Sequence, residues 1–149
     1  MLNNGTIFQL SQAEAYKKKL PAPEIIYIVD FFSGCGGMSW AFANTRQSHL
    51  AFEVLAGIDI EEPALKTYEK NIGSLAIKQD IRAIAENPPL LEELIPSFDP
   101  LKCRPLVFIG CAPCQGFSAH RKKDDRDDPR NNLMVAFAKI CKHYRPDVI

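Results

Sequence analysis

The feature that most constrains the fold is a near-continuous apolar run that ends in a glycine-rich turn. Glu24–Phe32 carries isoleucine, valine or an aromatic residue at most positions, which predicts a strand buried on both faces, as in a parallel sheet. Ser33–Gly37 follows with three glycines, and Met38–Ala43 predicts a helix. This order is typical of a nucleotide-binding βαβ unit, because glycines let the backbone approach a ligand and a helix N-terminus offers N–H groups.

The alternation of strands and helices continues along the chain. We therefore expect an α/β fold with a doubly wound, mainly parallel, Rossmann-like sheet. The first strand is expected at the centre with the fourth beside it, so that the ligand-binding switch point lies between them. Further strands are expected at Phe52–Ile60, Leu75–Ile77 and Leu106–Ile109, and further helices at Glu62–Asn71, at Asn131–Tyr144 and, within a looser proline-rich connection over 82–105, at Leu90–Leu94.

The chain has the length of one ordinary domain, 149 residues. We expect residues 1–23 to be an N-terminal extension and residues 24–149 to form the folded unit. Asp147–Ile149 predicts the first residues of a further strand, so we expect a sheet that is incomplete at the C-terminus and a chain that is a piece of a longer protein. The formal net charge of zero argues against a nucleic-acid grip made by the whole chain, although a local basic surface stays possible.

Composition also bounds the compartment. No apolar run approaches the roughly 20 residues that span a bilayer, and the N-terminus lacks a secretory pattern. The five cysteines suggest no disulfide framework. We therefore expect no membrane partner, reduced thiols and an intracellular protein, cytoplasmic in a bacterium.

Two carboxylates are expected at strand ends, where they could meet a ligand. Asp59 could accept hydrogen bonds from both hydroxyls of a ribose, or it could cap the helix that begins near Glu62. Asp80 has the same two interpretations. With a glycine turn that could also serve tight packing, these residues predict an adenosine-containing cofactor but do not separate NAD from S-adenosylmethionine.

A rigid cysteine loop is expected after the fourth strand. Cys111 and Cys114 could form a redox pair, or Cys114 alone could be a nucleophile on a loop that Pro113 stiffens. We favour the nucleophile, whose thiolate needs a positive setting such as Arg121. A zinc site is not expected, since the remaining candidates do not form a second ligand pair: Cys103, Cys141, His120 and His143.

The charged stretch over 120–130 also allows two interpretations. It could be a solvated loop of mixed charge, or a lid whose cations meet phosphates while its aspartates keep it off the protein body. The cations are Arg121, Lys122, Lys123, Arg126 and Arg130.

Taken together, the motifs resemble those of the cytosine-5 DNA methyltransferases. Asp30–Gly37 resembles the first motif of that family, and Gly57–Asn71 resembles the second. Asp80-Ile81 is similar to the third, Ala112–Ser118 to the fourth, which holds the nucleophile, and Asp128–Leu133 to the fifth. The resemblance runs from about residue 26 to the end of the chain, and it is the order of the motifs that makes it specific.

The resemblance implies S-adenosylmethionine as cofactor and a role for each matching residue. Asp59 would hold the ribose, Asp80 the adenine amino group, and Leu133 would pack on the adenine. Cys114 would add to carbon 6 of a flipped-out cytosine, so that carbon 5 can attack the sulfonium methyl. The other residues implied for the cofactor pocket are Phe32, Gly34, Gly36, Gly37, Ile60 and Ile81.

The resemblance also implies double-stranded DNA as the partner of a protein that is monomeric when complete. The residues implied for nucleic-acid contact are Gln115, Ser118, Arg121, Lys122 and Arg130. A Glu-Asn-Val motif, the arginine motif, the target recognition region and the final motif are absent, so we expect no turnover by this chain alone. An RNA methyltransferase of the same family, a binding-only homologue and an NAD-dependent oxidoreductase stay open as alternatives.

Overall fold

A computed structural model of the chain describes residues 23–45, 47, 49–101, 103–112 and 131–149. The expected N-terminal extension therefore lies almost wholly outside the described residues. Within them, four strands form one sheet in the order β3-β2-β1-β4. The strands are β1 (Glu24–Phe31), β2 (Leu50–Asp59), β3 (Leu75–Lys78) and β4 (Leu106–Gly110), and the helices are α1 (Gly37–Asn44), α2 (Glu62–Ile72), α3 (Ile81–Glu86), α4 (Leu90–Leu94) and α5 (Asn131–Tyr144).

Every strand pair in this sheet is parallel. β1 pairs with β2 up to Phe31 opposite Ile58, and it pairs with β4 up to Phe31 opposite Gly110. The carboxyl ends of these three strands therefore meet at one edge of the sheet, which is where ligands bind in open α/β folds. The central position of the first strand, with the fourth beside it, is confirmed.

Alternate residues of the strands pack into two clusters, and different helices contribute to each. Phe31, Ile58 and Phe108 belong to the larger cluster with side chains of α3, α4 and α5, among them Phe137. Ile28, Val54, Val107 and Ile109 form the smaller cluster, against which Phe42 of α1 and Ile72 of α2 pack. Because successive side chains of a strand point to opposite faces, helices cover both faces of the sheet. The expected α/β fold with a parallel sheet is confirmed.

The boundaries differ from the expected ones where a local contact decides. β1 ends at Phe31 rather than Phe32, because Phe32 turns to a left-handed φ of 58° and leaves the strand. The expected loose connection after Asp80 begins with the short helix α3, since the Asp80 side chain accepts a hydrogen bond from the Arg82 N–H and caps it. Val148 makes a parallel bridge to Val107, which agrees with the expected start of a further strand beside β4.

None of the helices in the described ranges combines the length and apolar character that crossing a bilayer requires.

Tyr68 of α2 joins that helix to the sheet. Its side chain is fully buried. A Cβ added at Gly57 would lie 2.3 Å from the ring carbon Cζ of Tyr68, so β2 needs a glycine at this position for the ring to lie across it. Gly57 is therefore required by packing, in the middle of a sheet where glycine is otherwise unfavourable.

We predict that Gly57→Ala lowers the free energy of unfolding by about 2 kcal/mol or more, because the added methyl group forces the Tyr68 ring or the strand to move. Gly37→Ala is the matched control, since none of the residues that the structure describes lies within 4 Å of a Cβ at that position. Urea denaturation of both variants measures the difference. Equal unfolding midpoints for the two variants would show that the ring does not fill this space.

Candidate functional site

The loop between β1 and α1 has an unusual backbone. Phe32, Gly34 and Gly36 have φ values of 58°, 52° and 88°, all in the left-handed region. Glycine adopts such angles freely, whereas for Phe32 the conformation costs on the order of 1 kcal/mol. Hydrogen bonds hold the strained segment: Ser33 N–H donates to the Ile58 carbonyl at 3.2 Å, and Gly36 N–H donates to the Ser33 carbonyl at 2.9 Å.

The three glycines of this loop serve different purposes. A Cβ at Gly36 would lie 2.8 Å from Cδ2 of Tyr68, so this glycine is required by the packing of α2 behind the loop. No described residue lies within 4 Å of a Cβ added at Gly34 or Gly37, so this part of the structure leaves open space beside them. The tight-packing interpretation of the turn therefore applies at Gly36, and room for a ligand exists at Gly34 and Gly37.

Ser33 is a loop residue to which sequence reasoning gave no role. Its side chain is buried, and among the described residues its Oγ has no hydrogen-bond partner. A buried hydroxyl without a partner costs on the order of 1–3 kcal/mol, which a polar group of a ligand could recover. The available signal was a polar residue directly after a strand that is otherwise apolar.

Asp59 connects the end of β2 to the glycine loop. Its Oδ2 accepts a hydrogen bond from the Gly34 N–H at 2.8 Å, and its Oδ1 accepts one from the Glu61 N–H at 3.0 Å. The capping alternative for Asp59 is wrong, since the N-cap residue of α2 is Glu61. Each carboxylate oxygen keeps a further lone pair, so Asp59 can still accept hydrogen bonds from a ligand.

Asp80, by contrast, is the N-cap of α3, as the other alternative held. Its Oδ1 accepts from the backbone N–H and from Nε of Arg82, at 2.9 and 3.0 Å, and Nη2 of Arg82 contacts Oδ2. The Arg82 guanidinium holds the pKa of this carboxyl below its ordinary value. A group that approaches Asp80 would have to share the carboxylate with Arg82.

The apolar residues expected around the cofactor lie in different places. Ile60 is 59% exposed and lines a cavity of about 240 Å³ with Lys78, Gln79 and Asp80. The Ile81 side chain is buried in the larger core cluster instead, so only its backbone can lie beside that cavity. Phe32 and Leu133 are half-buried at the edge of the same cluster, where the Phe32 ring lies 6.4 Å from that of Phe137.

The structure describes the approach to the expected nucleophile but not the nucleophile itself. Gly110 pairs with Phe31 at the end of β1, and Cys111 follows it with an exposed side chain. The cysteine loop therefore leaves the sheet beside the strand that leads into the glycine loop. Six expected site residues lie outside the described ones: Cys114, Gln115, Ser118, Arg121, Lys122 and Arg130.

A buried carboxylate lies behind the glycine loop. Asp30, only 2% exposed, accepts a hydrogen bond of 2.7 Å from the Oγ of Ser39 in α1. Burial raises the pKa of Asp30 to about 6, although the hydrogen bonds from Ser39 oppose this. Sequence reasoning gave neither residue a role; the signal was one charge inside an apolar strand and one serine inside an apolar helix.

Among the described residues, no group of three or more histidines, cysteines or carboxylates could hold a metal ion.

Comparison with known proteins agrees with this geometry. The family model of the C-5 cytosine-specific DNA methylases matches residues 26–149. Type II methyltransferase M.HgiGI of Herpetosiphon aurantiacus is 32% identical over 118 residues, which cover 79% of this chain and 82% of that protein. M.HgiDI of the same organism is 33% identical over 118 residues, and there the chain spans only a third of the relative, 33% of its length.

The fold is shared with solved structures. A prophage-encoded E. coli protein described as a DNA modification methyltransferase superposes with a TM-score of 0.62 at 28% identity, over 81% of this chain and 30% of that one. The Entamoeba histolytica methyltransferase EhMeth superposes with a TM-score of 0.51 at 23% identity, over 84% of this chain and 33% of that one, which supports the fold alone.

We predict that Asp30 makes the free energy of unfolding depend on pH. The pKa of Asp30 in the folded protein, about 6, exceeds its ordinary value of 3.8. Folding therefore favours the protonated carboxyl, and the contribution of this protonation to the free energy of unfolding is lost as pH rises through 6. The wild-type free energy of unfolding, minus that of Asp30→Asn, should fall by about 2 kcal/mol between pH 4 and pH 7. Denaturation series of both proteins measure it, and a difference independent of pH would contradict the prediction.

Proposed function

Because the chain belongs to the C-5 cytosine-specific DNA methylase family, we propose that it carries the cofactor pocket and the nucleophile of an enzyme that methylates carbon 5 of cytosine in DNA. The observation that carries this proposal is the hydrogen bond from the Gly34 N–H to the Asp59 carboxylate. It brings a strand-end carboxylate against a glycine loop that has open space in front of it. This is the arrangement that recognises a ribose beside a backbone-lined pocket.

The residues at this edge fit S-adenosylmethionine. Asp59 has lone pairs available for the ribose hydroxyls, and the buried Ser33 Oγ, which has no partner among the described residues, lies in the same loop. Gly34 and Gly37 leave room, and α1 begins at Gly37, so its first N–H groups and positive dipole end can meet the carboxylate of the amino-acid part. The cofactor, when bound, supplies the methyl group as a sulfonium.

The adenine would lie against apolar side chains at the ends of β2 and α5. Ile60 exposes a large apolar surface beside Asp80, and Phe32 and Leu133 form the half-buried rim of the core. Asp80 and the backbone at Ile81 would meet the adenine amino group, with the Asp80 carboxylate shared with Arg82. Gly36 would contribute only its backbone to the proposed pocket, because a side chain at this position would point towards Tyr68.

We propose Cys114 as the nucleophile, on the loop that follows Cys111 and Ala112. Its thiolate would add to carbon 6 of cytosine, which makes carbon 5 nucleophilic enough to take the methyl group. After a base has removed the proton from the methylated carbon 5, the bond between carbon 6 and the sulfur would break and the thiolate would leave. Gln115, Ser118, Arg121, Lys122 and Arg130 would contact the nucleic acid, with the cations meeting phosphates. The description of the family as DNA methylases favours DNA over RNA as substrate. We propose that the DNA is double-stranded and that the complete protein is monomeric.

We predict that the chain binds S-adenosylhomocysteine and that Asp59→Ala weakens this binding at least tenfold, because the ribose loses its acceptor and the loop loses the bond at Gly34. Asp99→Ala is the matched control. Asp99 also accepts hydrogen bonds from two backbone N–H groups, at Leu101 and Cys103, but it precedes the amino end of β4. Calorimetric titration measures both variants, and NADH binding without S-adenosylhomocysteine binding would instead favour an oxidoreductase.

We predict further that the complete protein, given S-adenosylmethionine, forms a covalent adduct with duplex DNA that contains 5-fluorocytosine. The fluorine cannot leave as a proton does, so the thiolate stays attached. Cys114→Ser should abolish the adduct, while Cys111→Ser should retain it, since only Cys114 is proposed to react. Denaturing electrophoresis detects the adduct, and an adduct that survives Cys114→Ser would show that another residue is the nucleophile.

A further inference from the structure

A series of buried polar side chains, joined by hydrogen bonds, lies behind the glycine loop; we call it the hydrogen-bond series. Ser39 and Tyr68 are fully buried, and Asp30 is nearly so. The Ser39 Oγ donates to Asp30 Oδ2 at 2.7 Å, the Tyr68 hydroxyl lies 3.1 Å from the Ser39 Oγ, and the Ser74 Oγ lies 3.2 Å from the Tyr68 hydroxyl. Four elements or their ends are thereby joined: β1, α1, α2 and the entry to β3.

The acceptor at one end sets the direction of the hydrogen bonds. Since the Ser39 proton is committed to Asp30, the Ser39 oxygen accepts from the Tyr68 hydroxyl, and the Tyr68 oxygen accepts from Ser74. Hydrogen bonds that point the same way polarise one another, and the loss of one bond in a buried hydrogen-bond series costs stability. Burial raises the pKa of the Tyr68 hydroxyl, so this group stays protonated and can donate a hydrogen bond.

The start of α1 has no side-chain cap. The N-cap residue of α1 is Gly36, which has no side chain to offer, and the glycine is required there by its φ of 88° and by the contact with Tyr68. Asp30 of β1 instead accepts a hydrogen bond from the Oγ of Ser39 in the first turn of α1. A strand residue thus ties the first turn of this helix to the sheet.

Tyr68 supports the same loop through its ring. Cδ2 would lie 2.8 Å from a Cβ at Gly36, and Cζ would lie 2.3 Å from one at Gly57, so the ring fits between two backbone segments that lack side chains. With no exposed surface, Tyr68 cannot touch a ligand in front of the loop. Any effect that it has on binding must act through the loop.

From these contacts we propose that Tyr68 is a positioning residue for the cofactor: its ring and its hydroxyl together hold Gly36 and the first turn of α1 in the geometry that the pocket needs. The proposal deepens the proposed function and rests on it for the identity of the ligand. The position of the loop itself can be measured without any ligand.

The test compares Tyr68→Phe, which keeps the ring and removes the hydroxyl, with Tyr144→Phe. Tyr144 is also a buried tyrosine, whose hydroxyl donates to the Pro88 carbonyl and to Glu92, and it lies in the larger core cluster, to which Tyr68 does not belong. Three quantities are measured on the full chain: the melting temperature, the amide exchange rates of residues 34–40, and the affinity for S-adenosylhomocysteine. The control shows what the loss of a buried tyrosine hydroxyl does away from the loop.

Both variants should lower the melting temperature to a similar extent. Only Tyr68→Phe should speed amide exchange at residues 34–40 and weaken S-adenosylhomocysteine binding, each about tenfold, the factor expected for one lost hydrogen bond. Ser39→Ala interrupts the same hydrogen-bond series without changing the Tyr68 ring and should behave like Tyr68→Phe. It also serves as the second variant if Tyr68→Phe does not fold.

The proposal is overturned if exchange in the loop is unchanged in Tyr68→Phe and Ser39→Ala, or changes equally in Tyr144→Phe. It is also overturned if the loop loosens and the affinity stays at the wild-type value. A wild-type chain that does not bind S-adenosylhomocysteine would instead contradict the proposed function, while the exchange rates would still show whether Tyr68 holds the loop.

Discussion

The hydrogen bond between the Gly34 N–H and the Asp59 carboxylate is the contact on which the candidate site depends. Parallel pairing carries β1 and β2 to the same edge of the sheet, but it does not by itself fix the loop that leaves β1. The 2.8 Å bond does so, by tying that loop to the last residue of β2. It also places the Asp59 carboxylate against Gly34, beside the space where we propose that the ribose binds. One contact thus holds the loop and positions the polar group of the proposed site.

The backbone of the glycine loop separates the protein interior from the space where we propose that the ligand binds. Behind it lie the Tyr68 ring and Ser39, both fully buried, and in front of it no described residue lies within 4 Å of a Cβ added at Gly34 or Gly37. The strain at Phe32, and a Ser33 hydroxyl without a partner among the described residues, are costs that the surrounding packing must offset. Such costs concentrate at binding sites because a site must present polar groups and unusual backbone that folding alone would not favour.

Much of the fold could be predicted because its signals are local. Apolar runs predicted the strands, and the rules for parallel sheets predicted the first strand at the centre with the fourth beside it. Asp59 was expected at the end of a strand, where it could meet a ligand. The contacts that determine the detailed geometry of the site either join residues far apart in the sequence or occupy a group that a ligand would use. Nothing near Asp30 in the sequence shows that Ser39 donates to it, or that Tyr68 is hydrogen-bonded to Ser39 in turn. Arg82 is only two residues from Asp80, but the sequence does not show that its guanidinium pairs with that carboxylate. Cys114 lies outside the described residues, so its role remains a prediction from the sequence.

We propose that the edge formed by β1, β2 and the glycine loop holds the adenosyl cofactor. A crystal structure of the chain with S-adenosylhomocysteine tests this most directly. We expect the ribose hydroxyls within hydrogen-bond distance of Asp59 and the amino-acid part against Gly34 and Gly37. A ligand bound at any other place, with Asp59 still paired only to Gly34 and Glu61, would contradict it.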